Sequence, residues 1–255
     1  MALACLGWGL VAMVARPCGA AIRKTYDASL GTLPDAQGFT LIDTGGSPPC
    51  TIQGDAMHQG LTEWDGQQLW TSLDIPVDLD VGAVVEAEVK IIYSSCSTSS
   101  GYRIAGWHMG VSDASRRGFF LFIASDEVFL WNQPELHPEC RAFDPTDGFH
   151  HYRLVITEGV GSLFVDEVPD PFLSLPVGPP WDPAANRARF GDGTFDGQSE
   201  SLLRSFSYIN VPEPVTLSLL AVGALALLKR EPRGARRRAA PRAEVRRGAR
   251  GNPPR

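Results

Sequence analysis

Histidine ionises closest to neutral pH, so the five histidines of this 255-residue chain are the first candidates for chemistry. His150 and His151 are adjacent, and neighbouring residues of a β-strand point to opposite faces, so spacing alone cannot bring both onto one metal ion. We expect one of them to pack under a sheet and the other to face water. The sequence has no nucleophile elbow, phosphate loop or dinucleotide fingerprint. The other three histidines are scattered: His58, His108 and His137.

Acidic clusters in predicted loops make Ca²⁺ the metal ion that the sequence favours. Carboxylate oxygens on turns are the ligands that Ca²⁺ prefers, although no segment has the spacing of an EF-hand loop. Ordinary surface acidity is the simpler interpretation, so a structural Ca²⁺ stays an open alternative. These clusters are Asp74/Asp78/Asp80, Asp144/Asp147 and Asp192/Asp196.

Five tryptophans could provide a stacking platform for sugar rings. In a β-sandwich such residues are more often core, because their large area stabilises most when buried. The sequence therefore assigns no individual ligand-binding residue. The five are Trp64, Trp70, Trp107, Trp131 and Trp181.

Cysteine counting gives an odd number in the body of the chain. Cys5 and Cys18 lie in or beside a presumed signal, which leaves Cys50, Cys96 and Cys140. An exported protein can oxidise its thiols, so we expect one disulfide and one free thiol. The sequence does not choose among the three pairings.

The elements that position these residues are short strands separated by Gly, Asp, Ser and Pro. Residues 84–92 (VVEAEVKII) alternate charged and aliphatic side chains, as a strand with one wet face should. No stretch of twelve body residues has a helical stripe, so we predict an antiparallel jelly-roll sandwich. The predicted strands are 38–43, 68–75, 81–93, 102–111, 118–123, 127–132, 150–157, 161–165, 187–191 and 202–209.

The order of motifs along the body resembles the concanavalin A-like (laminin-G-type) lectin/glucanase sandwich. Residues 110–130 (GVSDASRRGFFLFIASDEVFL) are followed by 149–168 (FHHYRLVITEGVGSLFVDEV), then by 190–193 (FGDG) and a final strand ending at 205–208 (SFSY). The resemblance covers most of residues 25–210. It implies a curved sheet whose concave face often binds glycans, and frequently a structural calcium ion.

The glucanase members of that superfamily carry Glu-x-Asp-x-x-Glu along one strand, which supplies a nucleophile and an acid/base. This chain contains no such motif. The nearest approach is Glu86 and Glu88, flanked by Lys90, which a solvated strand face explains. We therefore predict no catalytic residues and no enzyme activity, with a divergent glycoside hydrolase of the same fold as the alternative.

Charge is distributed unevenly along the chain. From Lys229 onward 11 Lys/Arg stand against 2 acidic residues, which leaves 12 basic and 27 acidic residues before it. An acidic body repels phosphates, so generic nucleic-acid binding is excluded.

The N-terminus has the character of a signal peptide. Residues 1–15 form an apolar run too short to span a bilayer, and small residues follow at 18–21 (CGAA). No Lys or Arg precedes the run, which makes the signal atypical; a buried N-terminal element is the alternative. We predict a signal peptide over residues 1–21 and a β-sandwich domain over 22–210.

The C-terminal segment resembles a PEP-CTERM sorting signal. Residues 211–230 combine a Pro-rich motif, a fourteen-residue apolar run (215–228) and a basic flank. The apolar run is about 21 Å long as a helix, which makes it a marginal, transient anchor. The resemblance implies export and processing by an exosortase-type membrane protease, with the basic flank held on the cytoplasmic side. The sorting-motif residues are Val211, Pro212, Glu213 and Pro214, and the membrane-flank residues are Lys229 and Arg230.

Residues 231–255 are Arg-rich, lack an apolar period and are predicted to be disordered. Members of the sorting-signal family normally end near the basic flank, so this tail is either an anionic-lipid ligand or translated sequence beyond a frameshift. Together these features predict an exported, non-catalytic sandwich of the envelope or extracellular matrix that binds glycans or proteins. A purely structural surface protein is the remaining alternative.

Overall fold

The computed structural model of the chain describes residues 23–64, 66–73, 75–95, 106–132, 139–182, 184–193 and 197–210. These residues form fifteen β-strands and two short 3-10 helices, Ala28–Leu30 and Pro34–Gln37. The strands make two antiparallel sheets with a shared core, so the predicted all-β sandwich is confirmed. The predicted C-terminal helix lies outside the described residues.

In chain order the strands are β1 (Arg23–Asp27), β2 (Thr40–Asp43), β3 (Thr51–Gln53), β4 (Ala56–Gln59), β5 (Gln68–Ser72), β6 (Ala83–Ser94), β7 (Trp107–Ser112), β8 (Gly118–Ile123), β9 (Glu127–Trp131), β10 (Glu139–Ala142), β11 (His150–Thr157), β12 (Val160–Val165), β13 (Leu173–Pro176), β14 (Arg187–Asp192) and β15 (Ser199–Asn210). Sheet A has the order β13-β12-β11-β6-β15-β4-β3, and β1 also pairs with β15. Sheet B has the order β10-β9-β8-β7-β14-β5-β2.

The core lies between the sheets and receives alternate residues of each strand. In β6, buried and partly exposed residues alternate from 85 to 91, as the sequence pattern predicts. Phe190 of β14 and Phe206 of β15 meet across the core with ring centroids 4.5 Å apart. Each fully buried side chain of this size stabilises the fold by about 1.5–3 kcal/mol relative to an exposed one.

Two predicted strands, 118–123 and 150–157, coincide with β8 and β11 residue for residue. The expected antiparallel pairing of β11 with β12 is also confirmed, with Thr157 opposite Val160. Glu158 and Gly159 form the two-residue connection with φ of 51° and 74°. Positive φ at both positions gives the primed turn whose twist matches a right-twisted hairpin.

Several predicted strand boundaries differ from the structure, and two of these corrections have a clear physical reason. The strand predicted from residue 38 begins at Thr40, because a 3-10 helix over Pro34–Gln37 ends at Gly38 with a left-handed φ of 84°. The strand predicted over 68–75 ends at Ser72. Ile75 nevertheless enters the core, with 3% of its surface exposed, from outside strand pairing. The apolar residues of 68–75 thus predict burial correctly, but they do not predict where the strand ends.

Five strands had not been predicted, namely β1, β3, β4, β10 and β13. They are short, with three to five residues each, and most lack apolar alternation. All four residues of β10 are exposed, and β13 ends in a proline. Backbone pairing with a neighbouring strand holds each of them, and for β1 and β4 that neighbour is β15, far along the chain, a contact that local sequence patterns do not encode.

The predicted signal peptide (1–21), sorting segment (211–230) and tail (231–255) lie outside the described residues. The same holds for Val211, Pro212, Glu213, Pro214, Lys229 and Arg230. Neither of the two short helices in the described ranges has the length and apolar character that crossing a bilayer requires.

Candidate functional site

The centre of sheet B is buried on both faces, whereas sheet A keeps one face partly in solvent. All six residues of β7 and all six of β8 are buried, although alternate side chains point to opposite faces. In sheet A the outward residues Glu86 and Glu88 are partly exposed. We define the outer face of sheet B by the residues that point away from the core, which are Arg187, Arg189, Gly191, His108, Gly110, Ser112, Gly118, Phe120, Phe122, Phe129 and Trp131.

Strand register arranges this outer face in two neighbouring rows. In the first row Arg189 is opposite Gly110, Gly110 is opposite Phe120, and Phe120 is opposite Trp131. Directly opposite residues on one face have Cβ atoms about 4.5–5.5 Å apart, so each row is a continuous series of contacts. The second row consists of Gly191, His108, Phe122 and Phe129.

An aromatic cluster occupies the β8–β9 half of this face. Trp181, from the loop between β13 and β14, packs on Trp131 with ring centroids 4.3 Å apart and on Phe120 at 5.2 Å. Phe122 and Phe129 stack at 5.3 Å with an interplanar angle of 6°. A loop residue therefore completes a small apolar layer on the side of sheet B away from the main core.

Asp182 is a buried carboxylate that ties this loop to β7 and β14. It accepts hydrogen bonds from the Ser112 hydroxyl and from Nη2 of Arg187. It also accepts one from the backbone N–H of Ala184 at 3.0 Å. Because the Asp182 and Arg187 side chains are 0% and 8% exposed, each charge depends on the other for compensation. The pair positions Trp181, the preceding residue, over the sheet.

Arg189 is far less well compensated than Arg187. Its Nη2 lies 3.7 Å from Oδ2 of Asp182, beyond hydrogen-bond distance, and its buried Nε has no hydrogen-bond partner among the described residues. The guanidinium carbon lies 4.0 Å from the ring centroid of Phe120, a cation–π contact. Burial, and next the charge of Arg187, lower the pKa of Arg189, while Asp182 opposes them. Within the part of the chain that the structure describes, the positive charge of Arg189 is therefore only partly balanced.

Gly110 creates the space for this contact. A Cβ atom at position 110 would lie 2.2 Å from Cδ1 of Phe120 and 2.4 Å from the carbonyl oxygen of Phe119. Since this oxygen belongs to the backbone, a side chain at position 110 would fit only if the strands of the sheet moved apart. The missing side chain lets Arg189 on one side and Phe120 on the other approach across β7.

His108 lies in the second row with 2% of its surface exposed, and neither ring nitrogen has a hydrogen-bond partner within the described ranges. Its ring centroid is 4.8 Å from that of Phe122. Gly193 covers it closely, because a Cβ at that glycine would be 2.0 Å from Cε1. Burial, and then the charges of Arg189 and Arg187, hold the pKa of His108 well below 6.5. At neutral pH His108 is therefore an uncharged imidazole with one donor and one acceptor.

Comparison with solved structures places this fold among known β-sandwiches. A carbohydrate esterase of the Shiga toxin-encoding bacteriophage phi24B superposes with a TM-score of 0.53 at 13% identity, over 73% of this chain and 96% of that one. A Bacillus subtilis protein of galectin-like fold gives 0.48 at 12% identity, over 77% and 98% of the two chains. The binding domain of botulinum neurotoxin DC, solved in complex with SialylT, gives 0.43 at 13% identity, over 69% and 43%.

At these identities the likeness to the phage esterase shows the fold alone. No protein-family model and no curated protein matches the sequence. The function must therefore be argued from this chain's own residues.

Glu86 and Glu88 lie on the outward face of sheet A, as the strand pattern predicts. Oε1 of Glu86 is 3.1 Å from Nε of Arg153, and Oε1 of Glu88 is 2.8 Å from Nη1 of Arg204. Both carboxylates are therefore ion-paired, on the sheet opposite to the candidate face.

The acidic clusters proposed for calcium have other partners. Asp80 pairs with Arg117 at 2.8 Å, Asp147 contacts His150 at 2.7 Å, and Asp192 is buried against Thr62 and Ser199. Across the described segments no three His, Cys, Asp or Glu side chains converge as a metal site would require. Asp74 and Asp196 lie outside those segments.

His150 and His151 point to opposite faces, as predicted. His150 lies at the edge of the core with its ring centroid 4.7 Å from that of Phe143. Its ring nitrogens contact Asp147 and Asp166, both at 2.7 Å. His150 therefore links strand β11 to the two loop segments that carry Asp147 and Asp166.

The predicted disulfide needs correction. Cys50 and Cys140 are both free thiols, buried and exposed respectively. Each of the three possible pairings involves one of these two residues, so the expected disulfide does not form. Cys50 contacts Oε1 of Gln68 at 3.2 Å, and burial raises the pKa of its thiol to about 11. Cys96 lies outside the described residues.

The tryptophans divide between core and candidate face. Trp70 and Trp107 are core residues, as expected, and Trp64 is 50% exposed beside a groove of about 360 Å³ lined by residues 44–46. Trp131 and Trp181 lie on the outer face of sheet B. The sequence analysis missed Arg187, Arg189 and Asp182 altogether. The available signal was the spacing of two arginines around Ala188, which places both on one face of a strand.

Proposed function

We propose that this chain is an exported, non-catalytic β-sandwich protein that binds glycans through the outer face of sheet B. The observation that carries the proposal is the combination on that face of an aromatic cluster with polar atoms that lack hydrogen-bond partners among the described residues. A second apolar layer alone would explain the aromatic residues but not the polar ones, because burying an unpaired polar group costs about 1–3 kcal/mol.

The chemistry of the face suits a saccharide. Trp131 and Trp181 supply aromatic rings of the kind that pack on sugar rings, and the side chain of Arg189, which is 12% exposed, supplies guanidinium donors on the same face. The solved structures of similar fold include one named a carbohydrate esterase, which is consistent with a glycan ligand without establishing one.

The binding experiment compares matched tryptophans in the purified full-length chain. Retention on a panel of immobilised polysaccharides is measured for the wild type, Trp181→Ala and Trp64→Ala. We expect Trp181→Ala to lose about five- to tenfold in affinity, since a stacked aromatic contributes on the order of 1–1.5 kcal/mol. Trp64 is an exposed tryptophan off this face, so Trp64→Ala should bind as the wild type does. Equal retention of both variants, or no retention of any protein, would reject this face as a binding site.

The absence of catalysis is part of the proposal. The chain lacks the Glu-x-Asp-x-x-Glu motif, and Glu86 and Glu88 are paired with Arg153 and Arg204. A divergent hydrolase would release reducing sugar from laminarin, agarose or xylan. Release that disappears in Glu86→Gln or Glu88→Gln would establish the enzyme alternative.

Export and sorting complete the proposal. The signal peptide over 1–21 would direct export, and the segment 211–230 would act as a transient membrane stop recognised by an exosortase-type protease. Val211, Pro212, Glu213 and Pro214 would form the recognition element, with Lys229 and Arg230 resisting translocation. The released protein would remain in the envelope or extracellular matrix.

The sorting proposal is tested in a host that carries an exosortase. The mass and cell fraction of the tagged chain are followed for the wild type, Pro212→Ala and Glu213→Ala. We expect loss of residues 215–228 in the wild type and retention in both variants. Retention in all three proteins would favour an ordinary membrane anchor.

A further inference from the structure

We propose that the outer face of sheet B selects a saccharide bearing a single carboxylate, a hexuronate unit in an otherwise neutral chain, with Arg189 as the residue that binds the carboxylate. This inference rests on the proposed glycan-binding function and names the class of its ligand. The juxtaposition that carries it is a partly compensated arginine lying on the ring of Phe120, beside two tryptophans whose rings contact at an angle of 51°.

The first step is the count of charges on the face. Among the described residues of the face, Arg187 and Arg189 contribute two positive charges and Asp182 one negative charge, while His108 is neutral. Asp182 is already engaged by Arg187, Ser112 and Ala184. Arg189 therefore carries the excess charge, and an anion is the ligand that would balance it.

The second step is the geometry around Arg189. Its side chain is 12% exposed, so part of the guanidinium reaches the surface. Phe120 covers one face of the guanidinium plane at 4.0 Å, which leaves its edge for a hydrogen-bonding partner. A planar carboxylate matches the fork of guanidinium donors, and such charge-assisted pairs are about twice as strong as neutral ones.

The third step is the choice of a sparsely charged saccharide. Before Lys229 the chain has 27 acidic and 12 basic residues, so it repels densely charged polymers such as nucleic acids. A single carboxylate meets little of this repulsion, because charges farther apart than about 8 Å are screened at physiological salt. Trp131 and Trp181 then offer aromatic contacts to the neutral sugar units beside it.

The experiment uses oligosaccharides that each carry one hexuronate, each paired with its carboxyl-reduced form. Dissociation constants are measured by calorimetry for the full-length wild type, Arg189→Met, Arg189→Lys and Arg153→Met. Arg153 is the matched control, because it also lies over an aromatic ring, Phe164 at 5.9 Å, but on sheet A.

We expect the wild type and Arg153→Met to bind the acidic form about tenfold or more tightly than the reduced form. Arg189→Met should bind both forms equally, and Arg189→Lys should keep part of the preference because it keeps the charge. Equal binding of both forms by the wild type would overturn the uronate inference and leave glycan binding intact. Binding of neither form, on a panel that includes neutral glycans, would reject the proposed function itself.

Folding of Arg189→Met is checked by its melting temperature, which we expect to equal or exceed that of the wild type, since a poorly compensated buried charge is removed. If this variant does not fold, Arg189→Lys decides: an unchanged preference in Arg189→Lys and a lower melting temperature would mark Arg189 as structural only.

Discussion

The guanidinium carbon of Arg189 lies 4.0 Å from the ring centroid of Phe120, across the position where Gly110 has no side chain. Three strands contribute to this contact, since Arg189 belongs to β14, Gly110 to β7 and Phe120 to β8. The glycine therefore acts as the spacer that lets a charged and an aromatic residue meet through an intervening strand.

Gly110→Ala should destabilise the protein by about 1–3 kcal/mol, because the added Cβ would overlap Phe120 and a backbone carbonyl oxygen. Urea unfolding measures the change. Gly148→Ala is the control, since a Cβ at Gly148 has no atom within 4 Å and should change stability by less than about 0.5 kcal/mol. Equal effects of the two substitutions would contradict the proposed close packing.

Arg187→Met should cost about 3–5 kcal/mol, because it leaves the buried carboxylate of Asp182 without its main partner. Arg153→Met removes an exposed pair with Glu86 and should cost less than about 1 kcal/mol. The double variant Arg187→Met/Asp182→Leu should recover part of the loss, since the uncompensated carboxylate is gone while Arg189 loses the partial compensation that Asp182 gave it. Denaturant unfolding of all three proteins checks the order, and an Arg187→Met variant as stable as the wild type would refute it.

His108 should make the fold sensitive to acid. Its folded-state pKa lies well below 6.5, mainly because the side chain is buried; the positive charges of Arg189 and Arg187 lower the pKa further. The unfolded chain therefore binds the proton more readily, and stability falls as pH drops below about 6.5. The loss is about 1.4 kcal/mol per pH unit until the folded pKa is reached. His108→Phe should flatten the stability profile between pH 6.5 and 5, whereas His151→Gln should leave it unchanged.

His150 should act in the opposite direction. Burial is the largest single effect and lowers its pKa, but hydrogen bonds to Asp166 and Asp147 together raise the pKa above 6.5. Its contribution is fully present below pH 6.5 and is lost as pH rises through the raised value. Since Asp147 and Asp166 are 67% and 46% exposed, we expect at most about 1 kcal/mol. If the wild type and His150→Gln have the same dependence of unfolding free energy on pH from 6 to 9, the contacts of His150 with Asp147 and Asp166 do not stabilise the fold.

Alternation and apolar runs predict the long strands because these strands bury a face of their own. Strand β8 (GFFLFI) is apolar throughout, and it is the strand that the structure buries on both sides. A short strand such as β1 depends on a partner far along the chain, β15, so its sequence carries no comparable signal.

The candidate site, too, is only partly predictable from local sequence patterns. Trp131 and Trp181 could be named from the sequence as potential sugar contacts, but their position on one face could not. Arg187 and Arg189 occupy a strand beside Ala188 and Phe190, which reads as a strand with one wet face. They are buried because Asp182 arrives from a loop and compensates the charge, a contact that depends on tertiary structure.

The double-sided burial of β7 and β8 also sets the order in which the molecule opens. Amide hydrogens in these strands can exchange with solvent only when the sandwich itself comes apart, so they should report the global free energy of unfolding. The fully exposed edge strand β10 pairs with β9 alone and should release its amides through local opening. Hydrogen exchange should therefore divide sheet B into a slow centre and a fast rim, although every strand in it belongs to the same continuous ladder.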